Sequence, residues 1–174
     1  ILELERQGVR PLLFSIRDTR RELPRNFPEE LYQRVVYLPT GKVLAEQVKS
    51  LVAEKKITAK IARTLNGWAN RPDSSDKQRI YEAAWIGLRM QEARLSHAHA
   101  HFAGLAARTC WWLQYFFGYS YSFTGHANDL FCEKDYPVKL QTLVDDSTLI
   151  ISVSDYAVDY LTSRFPYAGS KIKR

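Results

Sequence analysis

From residue 97 to its end, the sequence alternates between short β-rich runs and helical patterns. Strand-like runs at residues 97–102, 119–124 and 148–153 are each followed by a helical segment, at 104–117, 137–145 and 154–165. Parallel strands need a long crossover, usually a helix, so this alternation predicts right-handed βαβ units. We therefore expect an α/β fold with a parallel sheet flanked by helices, and a further strand beginning at residues 171–174.

The first part of the chain predicts two more strands. Residues 1–8 look like the tail of a helix closed by Gly8. A strand is expected at residues 12–16, buried on both faces, and a second at 35–38. The segment 17–28 between them holds four arginines and reads as a basic loop.

Residues 40–95 form a helical insertion between these two parts. Apolar residues recur at helical spacing over 40–68, as one broken helix or two, and a second long helix is expected at 77–95. A chain of 174 residues suits one domain, so residues 1–174 are expected to form a single unit.

The charge of the chain and its two cysteines limit the partners and the redox compartment that we expect. The chain has 25 Lys and Arg against 19 Asp and Glu, a net charge of +6, which admits nucleic acid, nucleotide phosphates or acidic lipid as partners without requiring them. Cys110 and Cys132 lie in apolar surroundings without CxxC spacing, which argues for the cytosol and against disulfides or a thiolate zinc site. Neither a membrane-spanning apolar run nor a signal peptide is expected.

All four histidines fall in two places. His97, His99 and His101 alternate with alanines, so on a strand they share one face. On the next predicted strand Ser120, Ser122 and Thr124 face away from Tyr119, Tyr121 and Phe123. His126 follows this strand after Gly125, which is expected to allow a turn. Ligands of open α/β sheets bind outside the carboxyl ends of the strands, where we place His101 and His126.

These histidines admit three interpretations. Four imidazoles could bind tetrahedral zinc, but no acidic residue follows them before Asp129. They could instead form hydrogen bonds with a polyhydroxylated ligand. In the structural interpretation, His97 and His99 are half-buried strand residues with satisfied hydrogen bonds, and His126 is an exposed loop histidine.

Other side chains in this part of the chain also admit both a structural role and a ligand-binding role. Ser154 is a good N-cap for the last helix, whose N-terminus could bind an anion. Asn128 and Asp129 could cap a short turn. Trp111, Trp112, Tyr115, Phe116 and Phe117 lie at helical spacing, which favours a core over a platform for nucleic acid, and no nucleic-acid partner is expected.

Three segments together resemble a known family. Residues 97–103 (HAHAHFA), 121–129 (YSFTGHAND) and 150–156 (IISVSDY) look like the amino-terminal domain of family-four (group one) retaining glycosyltransferases, especially bacterial exopolysaccharide and colanic-acid enzymes. The resemblance covers most of the chain, including its helical insertion. It implies one Rossmann-like half of a two-domain GT-B fold, which binds a glycan or lipid-linked acceptor. A carboxyl-terminal domain, which is not in this chain, would bind the nucleotide-sugar donor.

The resemblance also implies roles for individual residues. His126 matches the catalytic-cleft histidine beside the donor sugar. His101, Thr124, Gly125, Asn128, Asp129 and Ser154 fall at or near motif positions of the cleft. The family generally needs no metal, so no cofactor is expected besides the nucleotide-sugar substrate. The setting implied is cytoplasmic, with contact at the inner face of the plasma membrane.

The sequence departs from the family at its beginning, where the first strand and its glycine-rich loop are absent. That strand is central in the family's order, so strands two and four would lack their shared neighbour, and self-association or other residues would fill the gap. We expect this chain alone to be inactive. The alternatives are a Rossmann-like binding or regulatory module without catalysis, and a histidine-metal hydrolase.

Overall fold

The structure of the chain, a computed structural model, describes residues 1–18, 20, 29–54, 57–69, 71, 74–132 and 134–174. The predicted basic loop at 17–28 lies mostly outside the described residues. Arg17 and Arg20 fall within them, whereas Arg21 and Arg25 do not.

The N-terminal part forms short helices and a two-stranded sheet. Its elements are α1 (Leu2–Arg6), β1 (Leu13–Ser15), α2 (Glu29–Gln33) and β2 (Val35–Tyr37). Gly8 ends α1 with a φ of +80°, and its N–H donates to the Glu5 carbonyl at 2.9 Å, as expected of a closing glycine. The expected burial of the first strand on both faces is wrong: β1 has three residues, all half-buried, because it pairs with β2 alone.

The insertion is helical, as predicted, and residues 40–68 form two helices. The three helices are α3 (Gly41–Ala53), α4 (Ala59–Ala69) and α5 (Ser74–Glu92). Leu44 and Val48 of α3 and Ile61 of α4 are fully buried in the core. Trp85 of α5 joins that core while its Nε1 donates to Gln47 Oε1 of α3 at 2.8 Å.

The C-terminal part forms the larger sheet. Its elements are β3 (His97–Ala100), α6 (Leu105–Phe117), β4 (Ser120–Gly125), α7 (Ala127–Phe131), α8 (Leu140–Asp146), β5 (Leu149–Ser152), α9 (Asp155–Arg164), a 3₁₀ helix (Pro166–Lys171) and β6 (Ile172–Lys173). The four strands pair in parallel in the order β3-β4-β5-β6. This confirms the α/β fold with parallel sheets flanked by helices, and β6 is the expected further strand.

The two sheets are separate. Among the described residues β1 pairs only with β2, and β3 pairs only with β4. Phe14 and Val36 of the smaller sheet nevertheless pack against the same core as the larger one. Strands β1 and β3 therefore pair neither with each other nor with a common strand among the described residues, which agrees with the expectation that these two strands lack a shared neighbour.

One face of the larger sheet is core. Tyr121, Phe123 and Ile150 are fully buried, and the Tyr121 hydroxyl donates to the Leu143 carbonyl of α8 at 3.1 Å. Strand side chains alternate, so the opposite face of β3 and β4 carries the imidazoles and hydroxyls. The predicted division of β4 between Tyr121 and Phe123 on one face and its hydroxyls on the other is therefore confirmed.

Helices α5 and α6 pack closely beneath this sheet. A Cβ at Gly87 of α5 would overlap the ring of Phe117 in α6, and that ring stacks on Tyr119 at 5.3 Å. Buried Glu82 of α5 accepts hydrogen bonds from Thr109 of α6 at 2.9 Å and from Arg79 at 2.5 Å. Desolvation raises the pKa of Glu82, against the opposing effect of these partners.

The aromatic run of α6 is mainly core, as favoured by its spacing. Trp112 and Phe116 are buried, and Trp111 and Phe117 pack against the core from partly exposed positions. Tyr115 departs from the expectation, because 42% of its surface is exposed.

Gly87→Ala should destabilise the fold although alanine is the better helix former. Overpacking against Phe117 costs about 1–3 kcal/mol, more than the gain in helix propensity of about 1 kcal/mol. Gly67→Ala is the matched control, because a Cβ at Gly67 of α4 meets nothing within 4 Å. Urea denaturation should show a lower free energy of unfolding for the first variant and an equal or higher one for the second. Stabilisation by Gly87→Ala would contradict this packing.

Candidate functional site at the carboxyl edge of the sheet

The face of β3 and β4 opposite Tyr121 and Phe123 carries a continuous row of imidazoles and hydroxyls. His97 contacts Ser120 Oγ through Nδ1 at 2.8 Å and Ser122 Oγ through Nε2 at 2.9 Å. His99 contacts Ser122 Oγ through Nδ1 at 2.8 Å and Thr124 Oγ1 through Nε2 at 3.0 Å. We call these five side chains the histidine–hydroxyl ladder.

The ladder follows from the strand register. His97 lies opposite Ser120 and His99 opposite Ser122, so each imidazole spans its own partner and the hydroxyl two residues further along. Both imidazoles are satisfied, as the structural interpretation expects. They are exposed rather than half-buried, because β3 is the end strand of this sheet among the described residues. Desolvation, followed by the neighbouring His101 and His97, lowers the pKa of His99.

His101 and His126 meet at the carboxyl ends of β3 and β4. Their ring centroids are 5.1 Å apart in an edge-to-face arrangement. Phe102 lies 4.8 Å from each of the two rings. Nε2 of His126 is buried and has no hydrogen-bond partner. We call these three side chains the edge cluster.

The expectation that His101 shares a strand face with His97 and His99 is wrong. Strand β3 ends at Ala100, so His101 lies in the turn that leads into α6. From this turn the His101 ring contacts the His126 ring.

His126 is the N-cap residue of α7, and its carbonyl accepts from the N–H of Asp129 at 2.9 Å. The Asp129 carboxylate in turn accepts from the N–H of Ala103 at 3.2 Å, which ties the turn after β3 to the turn after β4. Asp129 therefore braces the edge cluster rather than capping α7. Asn128 is exposed beside it.

Gly125 lies within β4, not in a turn after it, which corrects the expectation. Its φ is not in the left-handed region; a Cβ there would instead come within 2.9 Å of the Leu130 side chain of α7. Glycine is needed here because α7 packs closely against the end of the strand.

Two serines follow at the end of β5. Ser154 caps α9, its hydroxyl accepting from the N–H of Ala157 at 3.2 Å, as predicted. Ser152 lies opposite Gly125, is 1% exposed, and its hydroxyl has no hydrogen-bond partner. The sequence analysis did not identify Ser152. This serine lies on the same face of β5 as buried Ile150, and nothing in the sequence indicates that its hydroxyl lacks a partner.

Arg108 is a second residue that the sequence analysis did not assign to the site. It is 2% exposed, and its Nη1 donates to the carbonyls of Ala103 and Gly104 at 2.8 and 3.0 Å. The guanidinium also lies 3.9 Å from the Tyr136 ring centroid. It fixes the turn that carries His101 and Phe102. An arginine inside the most apolar run of the chain is the signal that could have identified it.

The two cysteines differ in exposure. Burial raises the pKa of the Cys110 thiol to about 12, so this thiol is unreactive near neutral pH. Cys132 is exposed, which corrects the expectation that both cysteines lie in apolar surroundings. Within the described part of the chain, no three His, Cys, Asp or Glu side chains are placed to hold a metal ion. Arg20 pairs with Asp18 at 2.5 Å.

Comparison of the chain with protein-family models, curated proteins and solved structures finds no match. None of the helices in the described ranges has both the length and the apolar character needed to cross a membrane.

His99→Gln should weaken the loss of stability in acid. The pKa of His99 is lower in the folded chain than its ordinary value of 6.5, so the unfolded chain binds this proton more readily. Its contribution to stability is complete above that value and is lost as the pH falls below it. Urea denaturation between about pH 5 and 8 should show a steeper decline for the wild type than for the variant. Parallel curves would contradict this environment for His99.

Proposed function

We propose that the chain is the acceptor-side half of a retaining GT-B glycosyltransferase of cell-surface polysaccharide assembly. The observation that carries the proposal is the meeting of His101 and His126 at the carboxyl edge of a parallel sheet, where open α/β sheets bind their ligands. The segments around these residues resemble family-four retaining glycosyltransferases, and this resemblance supplies the proposed reaction class.

The edge cluster suits a sugar substrate. Imidazoles donate and accept hydrogen bonds with hydroxyl groups, and the half-exposed Phe102 ring offers an apolar face beside them. Nε2 of His126 and the hydroxyl of Ser152 are buried polar atoms without a hydrogen-bond partner, and each keeps a hydrogen-bonding capacity that a ligand would satisfy.

In the proposed reaction, a sugar passes from a nucleotide donor to a hydroxyl group of a glycan or lipid-linked acceptor. Negative charge develops on the leaving diphosphate, and a hydrogen bond that strengthens with this charge lowers the barrier. We assign this role to His126. Thr124, Gly125, Asn128, Asp129 and Ser154 shape the surrounding cleft.

A second domain that binds the nucleotide is part of the proposal, as is a cytoplasmic setting with contact at the inner face of the membrane. The separate edges of β1 and β3 support the further proposal that another strand, from a second copy or from residues outside this chain, pairs there. No metal or other cofactor is invoked.

A binding module without catalysis is the second candidate, because the edge cluster could hold a ligand without reacting with it. The specific observation in its favour is that Nε2 of His126 is buried beneath its neighbours, which does not leave it open to a reacting group. The two candidates share binding at the edge cluster and differ in turnover.

His126→Ala should weaken ligand binding at the edge cluster. NMR titration of the ¹⁵N-histidine-labelled chain with UDP-sugars, GDP-sugars and oligosaccharides should shift the ring signals of His101 and His126. We expect the variant to bind about tenfold more weakly, the effect of losing about 1.4 kcal/mol. Gln141→Ala, an exposed position of α8, is the control and should bind as the wild type does. Absence of shifts with every probe would refute the proposal.

Turnover separates the two candidates. A radiolabelled sugar-transfer assay should detect none with the 174-residue chain and should detect transfer when the chain is joined to its nucleotide-binding domain. In that two-domain protein, His126→Ala should lower turnover about a hundredfold while nucleotide affinity stays nearly unchanged. Binding without transfer in the two-domain protein would favour the binding module, and turnover by the 174-residue chain would refute the need for a second domain.

A further inference from the structure

The histidine–hydroxyl ladder is an unbroken hydrogen-bonded chain along the sheet. It runs through Ser120, His97, Ser122, His99 and Thr124, with each contact between 2.8 and 3.0 Å. The outer end is open to water, because His97 is exposed and Ser120 only half-buried. The inner end, Thr124, is 7% exposed and lies two residues before His126.

The chemistry of the groups allows only two arrangements of protons in the neutral ladder. A neutral imidazole has one N–H donor and one acceptor nitrogen, and a hydroxyl has a single proton to donate. Ser122 contacts a nitrogen of both imidazoles. If it accepted from both, its own proton would be buried without a partner, so it donates to one imidazole and accepts from the other. All four hydrogen bonds then point the same way along the strand, toward Thr124 or toward Ser120.

One contact outside the ladder selects between these directions. Ser120 Oγ also lies 3.4 Å from the carbonyl oxygen of Ser96, which can only accept. The Ser120 proton therefore points to Ser96, and Nδ1–H of His97 donates to Ser120. By the same rule Ser122 donates to Nε2 of His97, Nδ1–H of His99 donates to Ser122, and Thr124 donates to Nε2 of His99. Both imidazoles are thus in the Nδ1–H tautomer.

We propose that the ladder is a proton relay with one resting direction, which connects Thr124, two residues before His126 in the chain, with water at Ser120. A proton that reaches Thr124 Oγ1 displaces the Thr124 proton to His99 Nε2, and the shift continues through Ser122 and His97 until Ser120 releases one proton to water. One proton enters and one leaves, and every group of the ladder ends neutral with its hydrogen bonds reversed. Both imidazoles are exposed, so each can gain a proton from water at Nδ1 and release one at Nε2, which restores the resting direction.

The use of the relay rests on the proposed function. Sugar transfer to a hydroxyl group breaks its O–H bond, so one proton must leave the acceptor for each bond formed. The relay gives that proton a route from the cleft to solvent. The positions and tautomers of the imidazoles follow from the contacts alone and do not depend on any reaction.

The surroundings of His99 favour its neutral imidazole. The titratable groups beside His99 are His97 and His101, and both lower its pKa in addition to desolvation. Strand β4 faces the two imidazoles with hydroxyl groups. Helix α6 contacts β3, whose Ala100 is buried and points away from the imidazole face.

The test is the tautomer of each ring, read from long-range ¹H–¹⁵N spectra of the full chain at about pH 8, above the ordinary pKa of histidine. The wild type should show the Nδ1–H tautomer at both His97 and His99. Finding the Nε2–H tautomer at either ring would overturn the proposal without the need for any variant.

Ser120→Ala provides the sharper comparison, because it removes the contact that sets the direction. We expect mixed tautomers at His97 and also at His99, which Ser120 does not touch. Thr148→Ala is the matched control: its hydroxyl donates to a backbone carbonyl of β4 at 2.9 Å and contacts no imidazole, so both rings should stay as in the wild type.

A change at His97 with no change at His99 in the Ser120→Ala variant would show that the ladder does not transmit, and would overturn the relay. Because these spectra require no ligand, the relay can fail while sugar binding at the edge cluster succeeds, and the reverse. In the active two-domain protein, Ser122→Ala should shift the pH profile of turnover and leave nucleotide affinity unchanged. An unchanged profile would also count against the relay.

Discussion

The register between β3 and β4 determines where every histidine of this chain lies. With His97 opposite Ser120, the imidazoles meet hydroxyls on one face while Tyr121 and Phe123 enter the core on the other. A slip of one residue would reverse both faces and place imidazoles in hydrocarbon. The burial of these aromatic side chains therefore stabilises the same register that builds the ladder.

The edge cluster depends on this register and on the side chains of Arg108 and Asp129, which hold the turn after β3. Arg108 and Asp129 bind the backbone of the turn after β3 from two sides, one through carbonyl oxygens and the other through an N–H. Close packing of Gly87 against Phe117 fixes α5 against α6, the helix whose first turn holds Arg108. A rigid layer thus positions an irregular turn, an arrangement common to functional loops on α/β scaffolds.

The sequence predicted the features that depend on local periodicity. The alternation of strands and helices, the division of β4 into two faces and the cap at Ser154 all follow from patterns of two to four residues. The features that failed depend on neighbours in space. Strand β3 ends before His101, and Gly125 is required by the approach of Leu130 rather than by a turn. The contacts of Ser122 with two imidazoles could not be predicted, because they depend on the register between β3 and β4, which the sequence of one strand does not determine. The reaction class and the roles of the site residues stay predictions.

Strands β3 and β4 pair so that the imidazoles contact the hydroxyls and the rings of His101 and His126 meet. Nuclear Overhauser contacts in the labelled chain measure this directly. We expect contacts from the His99 ring to the Thr124 methyl group and between the rings of His101 and His126. Contacts from the Ala100 methyl group to the Thr124 methyl group, with the His99 ring beside core side chains, would contradict it.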